Sequence, residues 1–255
     1  MLVSSVIGYI VRKFDTRSWS LSNLMSVDSD HDAHETIGSP QPKVSIIIPT
    51  RDKPQLLRAC IDSIRENTNY SNYEILIVDN SSVESETKNL MAQYQSEGVS
   101  ILQYPGVFNY SAICNFAAAK ATGEYLCFQN NDTEVLSRNW LSSMVEHASK
   151  ESTGIVGAVL SYPNGSIQHM GIALGYTGIA GHPCRGESKH GHVPETCFQV
   201  SAVTFACALI SASKFWEIGS MDEKFPSGFN DVDFSIRSST KKYKNVVCVR
   251  AQFMH

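Results

Sequence analysis

The sequence predicts an α/β fold: a mostly parallel sheet flanked by helices, followed by a mixed C-terminal half. Three observations predict it. Apolar runs at 44–48, 75–78 and 125–128 show no alternation, as strands buried on both faces require. Between them, apolar residues recur at helical spacing. The runs break off into Pro49 and Thr50, Asp79 and Asn80, and Asn130 to Asp132, at the strand ends where open α/β sheets hold ligands.

The elements follow in order. A strand at 44–48 leads to a helix in which Asp52 can cap and Pro54 sits near the first turn. Leu57, Cys60, Ile61 and Ile64 form its apolar face. A strand at 73–78 precedes a helix around Thr87, Leu90, Met91 and Tyr94. A short strand at 101–104 precedes a helix at 108–121, with Ile113, Phe116 and Ala117 on one face. A strand at 125–129 precedes a helix from about Asn139 that buries Trp140, Leu141, Met144, Val145 and Ala148. This alternation implies right-handed crossovers and a parallel sheet.

After Lys150 the pattern changes. A strand at 155–162, a Pro-Asn-Gly turn and a return at 167–174 read as a hairpin. Residues 176–194 read as a long loop, which in a compact domain is usually functional or mobile. A strand-like run at 200–210, a helical turn at 215–219, a helix at 231–239 and a strand at 246–249 complete the chain. Residues 1–42 read as a mobile leader, rich in Ser, Asp and His from 26 to 42. There His31 and His34 offer metal ligands or belong to a solvated charged segment.

Composition excludes several classes. The formal net charge of -4 leaves no basic excess to neutralise a nucleic-acid backbone, although a single nucleotide still fits. The cysteine count is odd at seven, and no pair is spaced as CxxC. This favours a reducing, cytoplasmic setting and argues against a thiolate zinc site. No run approaches the ~20 apolar residues that span a bilayer. Residues 1–11 are moderately apolar and precede Arg12 and Lys13. They read as a fraying terminal helix or as an interfacial anchor at the inner face of the plasma membrane.

The candidate chemistry lies at the strand ends. Asn130, Asn131, Asp132 and Glu134 are oxygen-rich groups suited to a hard divalent cation and a hydroxylated ligand. Asp79 can accept from a base or a ribose hydroxyl, or close an Asx-turn. Asp231 and Asp233 lie two apart and so face different sides of a helix, with Arg237 at i+4 from Asp233. A carboxylate in an apolar cleft has a raised proton affinity and can serve as a general base. His169, His182, His190 and His192 cluster around the long loop. The first two are candidates for lining a pocket with Asn230. There is no G-x-G-x-x-G, P-loop or G-x-S-x-G motif, which counts against a dinucleotide dehydrogenase, a P-loop enzyme and an α/β-hydrolase.

The pieces at 44–50, 75–82, 130–132 and 202–237, with His255, resemble the family 2 glycosyltransferases of GT-A fold over residues 43–255. The segments at 108–111, 167–171 and 229–234 look most like bacterial surface-polysaccharide enzymes, including rhamnosyl-type transferases such as those of O-antigen synthesis. The resemblance implies an inverting, metal-dependent transferase with a nucleotide-sugar donor and a glycan or lipid-linked acceptor. It implies that Pro49, Thr50, Asp79, Asn130 and Asn131 hold the donor, and that Asp79 reads the base. It further implies that Asp132 and His255 bind Mn²⁺ or Mg²⁺ and that Asp231 is the catalytic base. Asn130 stands where the family's D-x-D motif usually begins with aspartate, and Asn230 where a glutamate is common. The first departure motivates a second reading, a degenerate domain that binds nucleotide or glycan without catalysis. Relatives usually continue beyond His255, so the chain is expected to be one part of a longer polysaccharide-assembly protein.

Overall fold

The computed structural model describes residues 41–176 and 178–255. The leader and its histidines, apart from Gln41 and Pro42, lie outside the described residues. Four parallel strands open the sheet: β1 (Val44–Thr50), β2 (Tyr73–Asp79), β3 (Ser100–Gln103) and β4 (Tyr125–Gln129). Helices α1 (Pro54–Glu66), α2 (Ser85–Ser96) and α3 (Tyr110–Ala118) connect them. The short β5 (Glu134–Val135) and helix α4 (Trp140–Ala148) follow, then β6 (Thr153–Ser161), β7 (Ile167–His169), β8 (Ala173–Leu174), β9 (Ala180–Gly181) and β10 (Phe198–Val200). The chain ends with β11 (Cys207–Ser211), α5 (Ala212–Ile218), α6 (Asn230–Thr240) and β12 (Lys244–Met254).

The main sheet runs β10-β12-β6-β11-β4-β1-β2-β3, with β5 on β12 and β7 on β6. The four N-terminal strands are mutually parallel. β11 lies antiparallel between β4 and β6, and β12 is parallel to β6. This is the mixed half expected from the sequence. Reversing once through β11 makes β6 and β12 run in the same direction as β4. The carboxyl ends of β1, β2, β4 and β12, and the chain entering β11, therefore share one edge.

The core is what the unalternated runs require: residues 46–48 and 126–128 are fully or almost fully buried. Leu57, Cys60, Ile61, Ile64, Leu90, Met91, Tyr94, Trp140, Leu141 and Met144 cover the sheet from its helices. Each buried aliphatic side chain contributes roughly 1.5–3 kcal/mol of transfer free energy.

Several elements differ from the sequence expectation. α3 is shorter than 108–121, because the Asn109 side chain accepts from Ala112 N and starts the helix at Tyr110. The run at 200–210 is divided. β10 pairs with β12, and the chain then crosses to β11 while Val203 packs against Gly157, where an added Cβ would lie 2.6 Å from it. Only β7 returns along β6, since residues 173–174 pair with β9 instead. Asp52 does not cap α1. Its backbone is left-handed (φ 55°), and its Oδ1 accepts from Val83 and Glu84 N–H, so it holds the turn entering α2.

At the opposite edge, Glu74 ties the sheet together. It accepts from Ser45 Oγ at 2.6 Å, Thr122 N and Oγ1 at 2.9 Å, and Lys43 Nζ at 2.9 Å. Burial alone would raise its carboxyl, but these donors outweigh it and hold it down at about 2. A carboxylate depressed on folding stabilises fully above its ordinary range, and that stability is lost as pH falls towards 2. Glu74→Gln is expected to cost about 1–3 kcal/mol at neutral pH and to flatten the acid limb of stability. Chemical denaturation from pH 7 to 3 measures both, and an unchanged acid limb would remove Glu74 from this role.

Candidate active site

Two adjoining cavities open on the carboxyl edge. The first, of about 350 Å³, is lined by Pro49, Thr50, Asn80, Asn131 and Asp132, with Arg51 and Lys53 at its rim. The second, of about 240 Å³, is lined by Thr204, Ala206, Asn230 and Asp231. Phe108, Tyr110 and Asn130 line both and form the shared wall.

Strand register sets the first cavity. Thr50 pairs with Asp79, and the β1–β4 register continues to bring Asn131 beside Thr50, where Asn131 Nδ2 donates to Thr50 Oγ1 at 2.9 Å. Asn130 is anchored through its backbone, its N–H donating to Ala206 O at 3.0 Å. Behind it, burial pushes the Cys60 thiol up to about 12, so Cys60 is a neutral donor to Asn130 O. Asp79 lies below the cavity rather than in its lining. It is 3% exposed, and its Oδ1 accepts from Ser82 N, three residues on, at 2.9 Å, which fixes the turn after β2. Asn80 lines the cavity in its place.

Asp132 and His255 meet here although they are remote in sequence. His255 Nε2 lies 3.1 Å from Asp132 Oδ1. The ring is oriented from behind: Gln168 Nε2 donates to His255 O at 3.1 Å, which turns Gln168 Oε1 towards His255 Nδ1 at 2.7 Å. An amide oxygen only accepts, so Nδ1 carries the proton and Nε2 faces Asp132. Where Nε2 is protonated as well, its hydrogen bond to Asp132 holds that carboxyl below its usual range, against the opposing effect of partial burial, and a cation would take that proton's place. A carboxylate and an imidazole nitrogen, with the imidazole's far side fixed by an amide, are a fitting ligand pair for a divalent cation. Their 3.1 Å spacing also suits it, since octahedral ligands at ~2.1 Å sit about 3 Å apart.

Asp231 opens α6. Asn230 Oδ1 accepts from Asp231 N, and Asp231 Oδ1 accepts from Val232 N. Burial raises the Asp231 carboxyl, opposed by the Val232 N–H and then by the Thr204 hydroxyl. Asp233 points elsewhere: its Oδ2 accepts from Arg237 Nε at 2.9 Å, and Arg237 Nη1 donates to Ile218 O. Asp233→Asn is expected to lower stability by about 0.5–1 kcal/mol without changing donor affinity. A thermal melt beside a binding titration reads both, and an unshifted midpoint would contradict the structural role.

His169 and His182, expected as pocket residues, are not in the lining of either of these two cavities. His169 is 1% exposed, and its Nε2 accepts from Gly171 N and Thr204 N. Its Nδ1 then donates to His182 Nδ1 at 2.9 Å. Burial keeps both rings neutral by lowering their proton affinity. The pair holds the backbone of Thr204, whose hydroxyl reaches Asp231. Sequence reasoning gave no role to Arg51, Lys53, Tyr110, Gln168 or Thr204. A basic pair directly after a strand end was the one available signal.

The glycosyl transferase family 2 model matches residues 45–219. The O-antigen biosynthesis protein RfbC of Myxococcus xanthus is 38% identical over 220 residues, which cover 84% of this chain and 17% of that protein. The structure of GalNAc-T7 with UDP, GalNAc and Mn²⁺ superposes with a TM-score of 0.70 at 16% identity, covering 84% of this chain and 44% of that one. The mannosyltransferase PcManGT of Pyrobaculum calidifontis, in complex with GDP-Man and Mn²⁺, gives 0.64 at 15%, covering 85% and 57%. These structural likenesses establish the GT-A fold. No helix among the described residues is long and apolar enough to cross a membrane. The chain thus spans a minor part of that curated relative's length, and it belongs to glycosyl transferase family 2.

Proposed function

We propose that the chain is an inverting, metal-dependent glycosyltransferase domain that moves a sugar from a nucleotide-sugar to a glycan or lipid-linked acceptor in cytoplasmic assembly of a surface polysaccharide. The observation that carries this reading is the pair of cavities sharing the Phe108, Tyr110 and Asn130 wall, one lined by Asp132, which His255 touches, and the other by Asp231. The first cavity suits the donor. Asp132 and His255 would hold the cation, and Arg51 and Lys53 add positive charge for the diphosphate. When bound, the cation neutralises the leaving diphosphate. The second cavity suits the acceptor.

Asp231 takes the acceptor hydroxyl proton. The freed oxygen attacks the anomeric carbon from the face opposite the leaving group. The bond to the diphosphate oxygen breaks, the nucleoside diphosphate leaves with the electron pair, and configuration inverts. Thr204 orients the Asp231 carboxylate. Its raised proton affinity suits a base that works near neutral pH.

Asn130 in place of an acidic residue favours the second reading, binding without catalysis. Ligand-observed NMR with a panel of nucleotide-sugars, with and without Mg²⁺, tests both. The proposal expects one donor to bind only with the cation and to be transferred to acceptor. Binding without transfer on any acceptor tested supports the second reading. Absence of nucleotide binding under all conditions overturns both.

A further inference from the structure

We propose that His147, Cys197 and Cys248 form a second metal site, for a thiophilic divalent cation such as Zn²⁺, separate from the donor cavity. The ligand atoms of these three residues all lie within 4.8 Å of one another. A tetrahedral Zn²⁺ with S ligands at ~2.3 Å and N at ~2.1 Å separates its ligand atoms by about 3.5–3.8 Å, within that limit. None of the three lines either active-site cavity.

Three different elements supply the ligands. His147 lies in the last turn of α4, Cys197 immediately before β10, and Cys248 within β12. In the β10–β12 register Phe198 pairs with Val247, so the next step sets Cys197 opposite Cys248. His147 approaches the pair from the helix side, with a ring nitrogen within 4.8 Å of both sulfurs. The cysteines are buried, while His147 is half-buried and leaves a side for a water or other fourth ligand.

The second observation is the surroundings of the sulfurs. The pairing of β12 with β6 slips between Cys248 and Gln252. The slip takes the N–H groups of the intervening residues out of that ladder. The stretch Val249 to Ala251, outside that ladder, directly follows Cys248 and runs beside the two sulfurs. Loading would release the remaining thiol protons. The same slip precedes the register that brings His255 to the active edge, so a cation here would clamp the strand that carries an active-site residue. A Cys197–Cys248 disulfide would use the same pair but leave His147 out.

The test uses the 255-residue chain, reduced and metal-free, in an Asp132→Ala background that silences the donor site. Co²⁺ is the probe. About one equivalent is expected to bind with an intense near-ultraviolet sulfur-to-cobalt band, and Zn²⁺ should displace it. Cys197→Ser should abolish the band. His147→Gln, at a half-buried position, should weaken binding by about 10-fold or more. Zn²⁺ should also raise the melting midpoint of the parent chain and leave Cys197→Ser unmoved. A folded parent with no sulfur band, an unshifted midpoint with Zn²⁺, or a Cys197–Cys248 disulfide found by mass spectrometry after purification without oxidant would each overturn the site.

Discussion

Asp231→Asn is expected to bind the nucleotide-sugar like the parent and to lose about 10²–10⁴-fold in transfer rate. The amide keeps the shape and can still accept from Thr204, but it cannot take a proton. The two properties therefore separate in one variant. The parent rate should rise with pH through the raised Asp231 titration, because only the ionised carboxylate is a base. The residual rate of Asp231→Asn should lose that limb. Stability moves the other way. A carboxyl whose folded proton affinity is raised binds more protons folded than unfolded, so it costs stability once pH exceeds the ordinary carboxylate range. The variant should melt no lower than the parent at pH 7. Near-parental transfer by Asp231→Asn, on any acceptor the parent uses, removes Asp231 as the base.

Asp132→Ala and His255→Ala should each abolish cation-dependent donor binding while leaving the fold intact. The loss is expected to be on the order of 10²–10⁴-fold, several kcal/mol, as for removal of a metal ligand that neutralises a diphosphate. Gln168→Leu tests the support behind the histidine. It keeps the side-chain volume, frees the far nitrogen of His255, and should weaken cation affinity by about 10–100-fold. Calorimetry of a nucleoside diphosphate at several Mn²⁺ concentrations distinguishes the three. If the parent bound equally well with and without Mn²⁺, Asp132 and His255 would not be ligands of a required cation.

Much of the first cavity was legible because it is local. Parallel strands end in polar residues, and neighbouring strands bring those ends level, so Thr50, Asn130, Asn131 and Asp132 could be assigned to one edge from the runs before them. Asp231 and Asp233 were also separable by helix geometry, and the Asp233–Arg237 pair lies at the expected i,i+4 spacing. The surroundings of Asp79 and His169 were not legible, for one reason. A polar residue at a strand end looks the same in sequence whether it faces the cavity or closes a turn beneath it. The deciding partners, Ser82 N for Asp79 and Gly171 and Thr204 N for His169, are backbone groups that sequence cannot place.

The sequence by itself determined the parallel half-sheet, its helices, the family resemblance and the polar edge, since all of these follow from periodicity and short motifs. Only the tertiary structure decided what meets across the mixed half. The antiparallel β11 returns β6 and β12 to the direction of β4, which delivers His255 to Asp132. The β10–β12 pairing sets Cys197 opposite Cys248, and α4 adds His147. No CxxC spacing announces that cluster, because strand pairing and helix packing bring its members together rather than chain proximity.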